Sequence, residues 1–462
     1  MLRKSSKLSL LVASLSLAGT IIMSACGGPA ASTPVPTNTT GTTGVATATT
    51  GTTDVATATT GTTDTATATT GTTGDAFEGD TIKIGVDLPV SGGDATIGLP
   101  TRNGMELAIR QANENGGVTV AGKTYELEMY FLDDVPPGGT SHDPAQSSKN
   151  ADSFIADPAV LVVLGPFNSS NAQAMMPKLN TAGLCQISPS NTNETLTKPE
   201  FGQTQNYRPT GEVTYFRVAA TDDIQGPAAA DYAYNELKLT KVYVLDDTET
   251  YGKGIADNFK RRFEELGGTV LGHDGVPKGT TDFSSIMTKV AAAGPDLVYY
   301  GGTSSNNIPL ARKAMKSSGL DVPLMGGDGI QDAEFLNVAG EDAVGSYSTV
   351  AAVNVETLDE AKQFIEDYNA AGFKEPLGAY SGPGYEVANI AIDALTRAEE
   401  PSRDAVCEAL RNTKDYKGVL GTTSFDENGD TTNKVISFYR ADKNDAGELA
   451  WVFVDQIRFG DE

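Results

Sequence analysis

The sequence predicts an α/β body of two similar lobes, and three observations carry that prediction. Short apolar segments with strand character alternate with longer amphipathic ones from about residue 80 onward. The helical segments are ten or more residues long, the length expected of βαβ units around parallel sheets. The alternation breaks at a polar stretch and then restarts, as two lobes require. In the first run Ile82, Ile84 and Val86 alternate with polar neighbours. Residues 102–113 read as an amphipathic helix with Met105, Ala108, Ile109 and Ala112 inward. Tyr125, Leu127, Met129 and Phe131 alternate again, then come a helix over 145–155, a buried strand over 160–164 and a helix over 171–181. The second run reads as helix 225–238, strand 241–245, helices 253–266 and 282–293, strand 296–300 and helix 309–318. Near the C-terminus, 424–426 and 434–440 flank Glu427-Asn428-Gly429-Asp430 and read as a hairpin.

Two segments of different character precede this body. Arg3, Lys4 and Lys7 lead into a mostly apolar run over 8–23, and Ser24-Ala25-Cys26 follows. A basic start, a short apolar core and a small-residue cleavage site make a secretory signal over residues 1–25. The run is shorter than the roughly 20 apolar residues that a spanning helix needs. Ending at a cysteine, it resembles a bacterial lipoprotein lipobox, with Met23 where the pattern more often has Leu. That resemblance implies cleavage before Cys26 and lipid attachment to its thiol. The plainer alternative is an ordinary signal peptide with an incidental cysteine. Residues 26–79 then form a tether that repeats GTTGVATATT, GTTDVATATT and GTTDTATATT. Thr and Ala cannot bury enough apolar surface to offset the entropy of ordering. About fifty such residues reach on the order of 150 Å when extended at about 3.1 Å each.

The formal net charge is −26, which argues against nucleic acid or anionic lipid as the main partner. Only His142 and His273 are available as imidazoles, and neither sits in a hydrolase elbow or a zinc motif. Gly117-Val118-Thr119-Val120-Ala121-Gly122-Lys123-Thr124 matches a phosphate-loop spacing on letters, but a helix precedes it and a strand follows. A phosphate cradle needs the reverse order, so a β-turn is the better reading. The 426–430 stretch lacks the glycine and glutamate spacing of a calcium loop. Asp133-Asp134 and Asp246-Asp247 end strands and read as solvated loop carboxylates. Cys185 and Cys407 read as buried free thiols, with a disulfide as the alternative in an oxidising compartment. Neither catalytic nor metal chemistry is expected, and no cofactor.

Five segments in order, spread over 80–462, carry a resemblance. They are Ile84-Gly85-Val86-Asp87-Leu88-Pro89 with Gly98 downstream, Ile187-Ser188-Pro189-Ser190-Asn191-Thr192, Asp246-Asp247 with Tyr251-Gly252-Lys253-Gly254, Tyr299-Tyr300-Gly301-Gly302, and Met325-Gly326-Gly327-Asp328-Gly329. Together they resemble the leucine/isoleucine/valine-binding type of periplasmic binding protein, the substrate-binding family of ABC importers. The resemblance implies the type I, Venus-flytrap fold: two α/β lobes joined by three crossovers, each a parallel sheet with helices on both faces. Lobe I then takes 80–222 and 352–422, and lobe II takes 223–351 and 423–462.

The resemblance also implies a site at the strands' C-terminal ends. The 160–164 strand runs into a helix whose N-terminal N–H groups suit a carboxylate, with Ser169 adding a hydroxyl. Ser190 and Thr192 supply further donors after the next strand. Asp328 lies where the family places an acid for the ligand ammonium, often Glu, so Asp shortens the reach. Tyr251 matches a ligand-contacting tyrosine of the same lobe. The structural alternatives are a helix N-cap at Ser169, loop turns at Ser190, Thr192 and Asp328, and a packing role for Tyr251. Ile97 and Thr303 stand where the family commonly has aromatic walls, so pocket size and polarity depart from the pattern. The implied function is a monomeric, lipid-anchored receptor that delivers an amino acid to an ABC permease and ATPase. A receptor for an amide or urea-like solute and an extracytoplasmic sensor are the rival readings.

Overall fold

The computed structural model describes residues 76–460. The expected signal segment, Cys26 and nearly all of the tether lie outside these residues. Among those described, no helix is long and apolar enough to cross a membrane.

Two sheets organise the chain. The first contains β1 (Thr81–Leu88), β2 (Val118–Val120), β3 (Lys123–Asp133), β4 (Val160–Leu164), β5 (Gln186–Ser188) and β6 (Tyr215–Arg217), in the order β2-β3-β1-β4-β5-β6. The second begins with β7 (Lys241–Asp246), β8 (Thr269–Gly275), β9 (Leu297–Gly301), β10 (Leu324–Gly326) and β11 (Tyr347–Val350). After the small pair β12 (Tyr416–Gly418) and β13 (Gly421–Thr423), it is completed by β14 (Lys434–Lys443) and β15 (Leu449–Phe459). Its order is β15-β14-β11-β10-β9-β7-β8. The neighbours β3-β1-β4-β5-β6 and β11-β10-β9-β7-β8 are parallel, as expected. Antiparallel pairs extend both sheets, β2 with β3 in one and β14 with β11 and β15 in the other. The sheets are therefore mixed rather than purely parallel.

Helices cover both faces of each sheet. The first lobe carries α1 (Ala95–Glu114), α2 (Pro144–Ala156), α3 (Ser169–Thr181) and the single turn α4 (Thr204–Tyr207). The second carries α5 (Asp222–Asp231), α6 (Thr250–Glu265), α7 (Ser284–Ala293), α8 (Ile308–Ser317) and α9 (Ala333–Ala339). The chain returns to the first lobe for α10 (Lys362–Ala370), α11 (Ser381–Arg397) and α12 (Arg403–Arg411). In the first lobe, Ile84, Val86, Met105, Ala391 and Leu395 share one core, while Phe154, Val163, Met175 and Leu179 fill the opposite face. Around the second sheet, Leu245, Val298, Met287 and Met315 pack on one side and Val244, Phe259, Phe263 and Tyr299 on the other. A buried side chain of this size contributes about 1.5–3 kcal/mol, so these layers hold each lobe rigid.

Three crossovers join the lobes, after β6, after β11 and before β14. They are tied to one another: Ala220 N–H donates to the Ala351 carbonyl at 3.0 Å and Arg217 N–H to the Gly429 carbonyl at 3.1 Å.

Several sequence readings are corrected. Lys434–Lys443 pairs with β11 and β15, not with 424–426, and a Phe425–Thr431 bridge with the Asp426 N–H to Asp430 carbonyl bond closes the 426–430 turn. The helix expected over 225–238 starts earlier, at Asp222, and passes into a π-helical turn at Tyr232–Glu236. Cys185 and Cys407 are not free thiols but form a disulfide with Cα atoms 5.5 Å apart. Asp134, Asp246 and Asp247 are buried rather than solvated. One reading in this region stands: the phosphate-loop look-alike is a turn, that of the β2–β3 hairpin, with positive φ at Ala121 and Gly122.

Candidate functional site

Ser169, Ser190, Thr192, Thr303 and Asp328 follow the C-terminal ends of β4, β5, β9 and β10, while Ile97 lies on α1 after β1 and Tyr251 on α6 after β7. Asp328 follows β10 between Gly327 and Gly329 and is 3 % exposed. Those glycines permit close packing. A Cβ at Gly327 would fall 2.4 Å from the Tyr251 hydroxyl, and one at Gly329 2.4 Å from the Gly302 carbonyl. The Asp328 carboxylate accepts from Gln225 Nε2 at 2.8 Å and Tyr251 OH at 3.0 Å on one oxygen. Its other oxygen accepts from Tyr380 OH at 2.9 Å. Tyr251 OH in turn accepts from Gly329 N–H at 3.1 Å, which fixes the phenol. Gln225 on α5 and Tyr251 on α6 belong to the second lobe, whereas Tyr380 stands before α11 of the first. Tyr380 packs edge-on against Phe167, in the loop entering α3, at 5.1 Å between ring centroids. One carboxylate thus collects donors from both lobes.

Burial pushes the Asp328 carboxyl up, against the pull of Gln225, Tyr380 and Tyr251. Asp222, the first residue of α5, lies well above the usual carboxylate range. Burial is the main cause, and the Glu194 and Asp328 charges add to it. The Thr192 side chain faces the Asp222 carboxylate and pulls it the other way. Glu194 Oε2, Gln225 Oε1 and Tyr299 OH are buried without a hydrogen-bond partner among the described residues. Orphaned buried polar atoms are costly and rare, so a group of them at a lobe junction marks a place built to meet polar atoms.

The remaining expected residues divide. Thr192 holds the Asp222 N–H on its carbonyl at 2.8 Å and turns its side chain toward the Asp222 carboxylate. Ser169 is the first residue of α3, with Asn168 at the cap position, and its hydroxyl accepts from Asn193 N–H at 3.4 Å. Ser190 donates its hydroxyl to the Phe167 carbonyl at 2.9 Å and so ties two site loops together. Ile97 is buried in the core of the first lobe, and its carbonyl accepts from Thr101 Oγ1 at 2.8 Å. Thr303 pairs with Ser305 through their hydroxyls at 2.9 Å. Neither Ile97 nor Thr303 bonds to the Asp328 group. Sequence reasoning missed Tyr380, Gln225 and Asp222. Asp222 and Gln225 stand at the start of a helix expected only from Gln225 onward, which was the available signal.

Residues 81–447 match the family described as periplasmic binding protein. The chain belongs to that family. It is 30% identical over 371 residues to the Leu/Ile/Val-binding protein homolog 1 of Brucella suis biovar 1, covering 80% of this chain and 93% of that one. Identity is 31% over 366 residues with the leucine-, isoleucine-, valine-, threonine- and alanine-binding protein of Pseudomonas aeruginosa, covering 79% and 91%. Among solved structures, the branched-chain amino acid transporter substrate-binding protein LivJ of Streptococcus pneumoniae, in complex with isoleucine, superposes with a TM-score of 0.68. That match has 27% identity and covers 81% of this chain and 99% of LivJ. The fold is that of type I periplasmic binding proteins, and the chain falls with the substrate-binding proteins of branched-chain amino-acid ABC transporters. Membership of a periplasmic receptor family implies an extracytoplasmic location.

Proposed function

We propose that this protein is a lipid-anchored receptor that closes two lobes on an amino-acid zwitterion and delivers it to an ABC permease. The observation that carries the reading is Asp328, a buried acid that gathers donors from both lobes. A ligand ammonium placed there meets an anion in a low-dielectric junction, where attraction is stronger than in water. The ligand carboxylate falls to the N-terminus of α3, with the Ser169 and Thr192 hydroxyls as added donors. Ser190 positions the loop that supplies them, Tyr251 orients Asp328, and Ile97 and Thr303 border the ligand side chain. A ligand touching both lobes stabilises the closed state by its differential affinity for that state. Lipid on Cys26 keeps the receptor near its permease, and the Thr-rich tether gives it freedom to dock. The amino-acid ligands named for the relatives support this assignment of cargo class.

A thermal-shift screen of the purified chain against amino acids and neutral amides tests it, since a ligand of the native state raises the melting temperature by mass action. An amino acid is expected to give a shift that Asp328→Ala abolishes. Stabilisation by neutral amides alone, indifferent to Asp328→Ala, would overturn the zwitterion reading in favour of an amide receptor.

A further inference from the structure

A second junction between the lobes uses none of the residues given a ligand role above. Asp94 lies in a short 3-10 turn at Gly92–Asp94, and His142 lies in the loop between β3 and α2, both in the first lobe. The His142 ring is buried, with Nδ1 2.9 Å from Asp94 Oδ2. The same carboxylate oxygen accepts the His142 backbone N–H at 2.9 Å. On the opposite side, His142 Nε2 meets Glu249 Oε2 at 2.8 Å, and Glu249 stands just before α6 of the second lobe. Lys278, after β8 of that lobe, donates to the His142 carbonyl at 2.9 Å and to Glu249 Oε1 at 3.2 Å. Acid, imidazole, acid and amine thus alternate across the gap, with two bonds from the second lobe landing on one residue of the first.

Both ring nitrogens face carboxylate oxygens. A neutral imidazole donates from one nitrogen only and would turn a lone pair toward the other carboxylate. With Asp94 and Glu249 both ionised, the geometry therefore requires the imidazolium. When the lobes part, Nε2 loses Glu249 and the ring turns toward water. We propose that Asp94, His142, Glu249 and Lys278 form a proton-dependent latch, which favours closure while His142 is protonated and releases it as the pH rises.

The neighbouring charges agree with this assignment. Burial works against the His142 charge, but Asp94 and Glu249 outweigh it and lift the ring to about 10. Asp134, at the end of β3, and Asp247, after β7, also lie within its electrostatic reach. Asp143, the next residue, is spent capping α2. Burial pushes Asp94 and Glu249 up, yet His142 brings both below the ordinary carboxylate range, and Lys278 adds to the effect on Glu249. The sign follows from linkage. The closed form holds the proton more tightly than the open form, so closure is favoured below the open-state value. That advantage fades as pH rises from the open-state value through the closed-state value near 10. One proton taken up on closing changes the closed-to-open ratio by at most about tenfold per pH unit.

The latch rests on the closing motion proposed above but not on the identity of the cargo, so its test uses the ligand-free protein. Spin labels on the full chain, introduced at exposed positions by Lys149→Cys and Glu264→Cys, report the distance between lobes. The expected distribution shifts from short at pH 6.5 toward long at pH 9.5. His142→Gln and Glu249→Gln are expected to give the long distribution at both pH values. Glu249 is partly exposed, so its variant remains informative if His142→Gln fails to fold. A distribution unmoved by pH and by Glu249→Gln would overturn the latch. A failed ligand screen would overturn only the cargo reading and leave this result standing.

Discussion

At the scale of single residues, Asp328 is the most constrained side chain in the site. Three neutral donors already occupy its oxygens, two from the second lobe and one from the first. An ammonium adds what those donors lack, a full positive charge. Asp328→Asn keeps the volume and one acceptor but removes the anion. Hydrogen bonds to charged groups contribute about 1.5–3 kcal/mol. The substitution is therefore expected to weaken amino-acid binding by roughly ten- to a hundredfold. Calorimetric titration of wild type and variant with the amino acid found in the screen checks this. An affinity within a factor of two of wild type would remove Asp328 from ligand recognition. The resemblance singled out Asp328, and its place at a strand end between glycines is the part of that reading visible in the local sequence. Tyr380 was not singled out, because it reaches Asp328 from 52 residues further along, with nothing local to mark it. The cysteines misled for a related reason. Apolar flanks report burial, which a thiol and a disulfide share, whereas the 5.5 Å approach of Cys185 and Cys407 is a tertiary fact.

At the scale of elements, legibility followed the pattern of burial. Val160–Leu164 is buried at every position and reads directly as an apolar run. The helix α11 went unread although Val387, Ala388, Ala391, Ala394 and Leu395 recur at helical spacing. Pro383 and two glycines in its first turn mask where it begins. This helix also carries Glu386, 1 % exposed, which accepts the Val419 N–H at 2.8 Å from the segment joining β12 and β13. Burial lifts its carboxyl from an ordinary 4.5 to about 8, against the pull of the Val419 and Leu420 N–H groups. The unfolded chain then releases this proton near pH 4.5 while the folded chain keeps it to about 8. Its contribution to stability therefore falls as pH rises through that window. Glu386→Gln mimics the neutral acid and should flatten the fall in melting temperature between pH 5 and 8, measured by calorimetry. An unchanged slope would show that Glu386 is ionised in the fold. The Cys185–Cys407 disulfide pins α12 to the edge of β5 and closes a loop of sequence separation 222. Replacing both cysteines by serine should cost about 2–5 kcal/mol, read from denaturant unfolding without reductant.

At the scale of the whole molecule, the question is how the hinge communicates with the site. Arg217, at the end of β6 and fully buried, links the two. Its Nε donates to Asp430 of the third crossover at 2.7 Å, and its Nη1 donates to the Asn193 and Asn191 carbonyls at 2.8 and 3.1 Å. Those carbonyls flank Thr192, so one guanidinium clamps the loop proposed to meet the ligand to the hinge. Burial raises the Asp430 carboxyl, but Arg217 more than offsets this and holds it below its ordinary value. That stabilisation is present above the unfolded value and is lost as pH falls through the folded one. Arg217→Met leaves Asp430 buried without its cation, at an expected cost of about 3–5 kcal/mol. Adding Asp430→Leu replaces the pair by apolar side chains and should recover most of that loss, because buried ion pairs and apolar replacements are often close in stability. Ligand affinity has no such route back, because the Asn191 and Asn193 carbonyls still lack their donor. The double variant is therefore expected to melt near wild type yet bind the amino acid at least tenfold more weakly. If affinity recovers together with stability, Arg217 supports the fold alone, and the hinge reaches the site by another path.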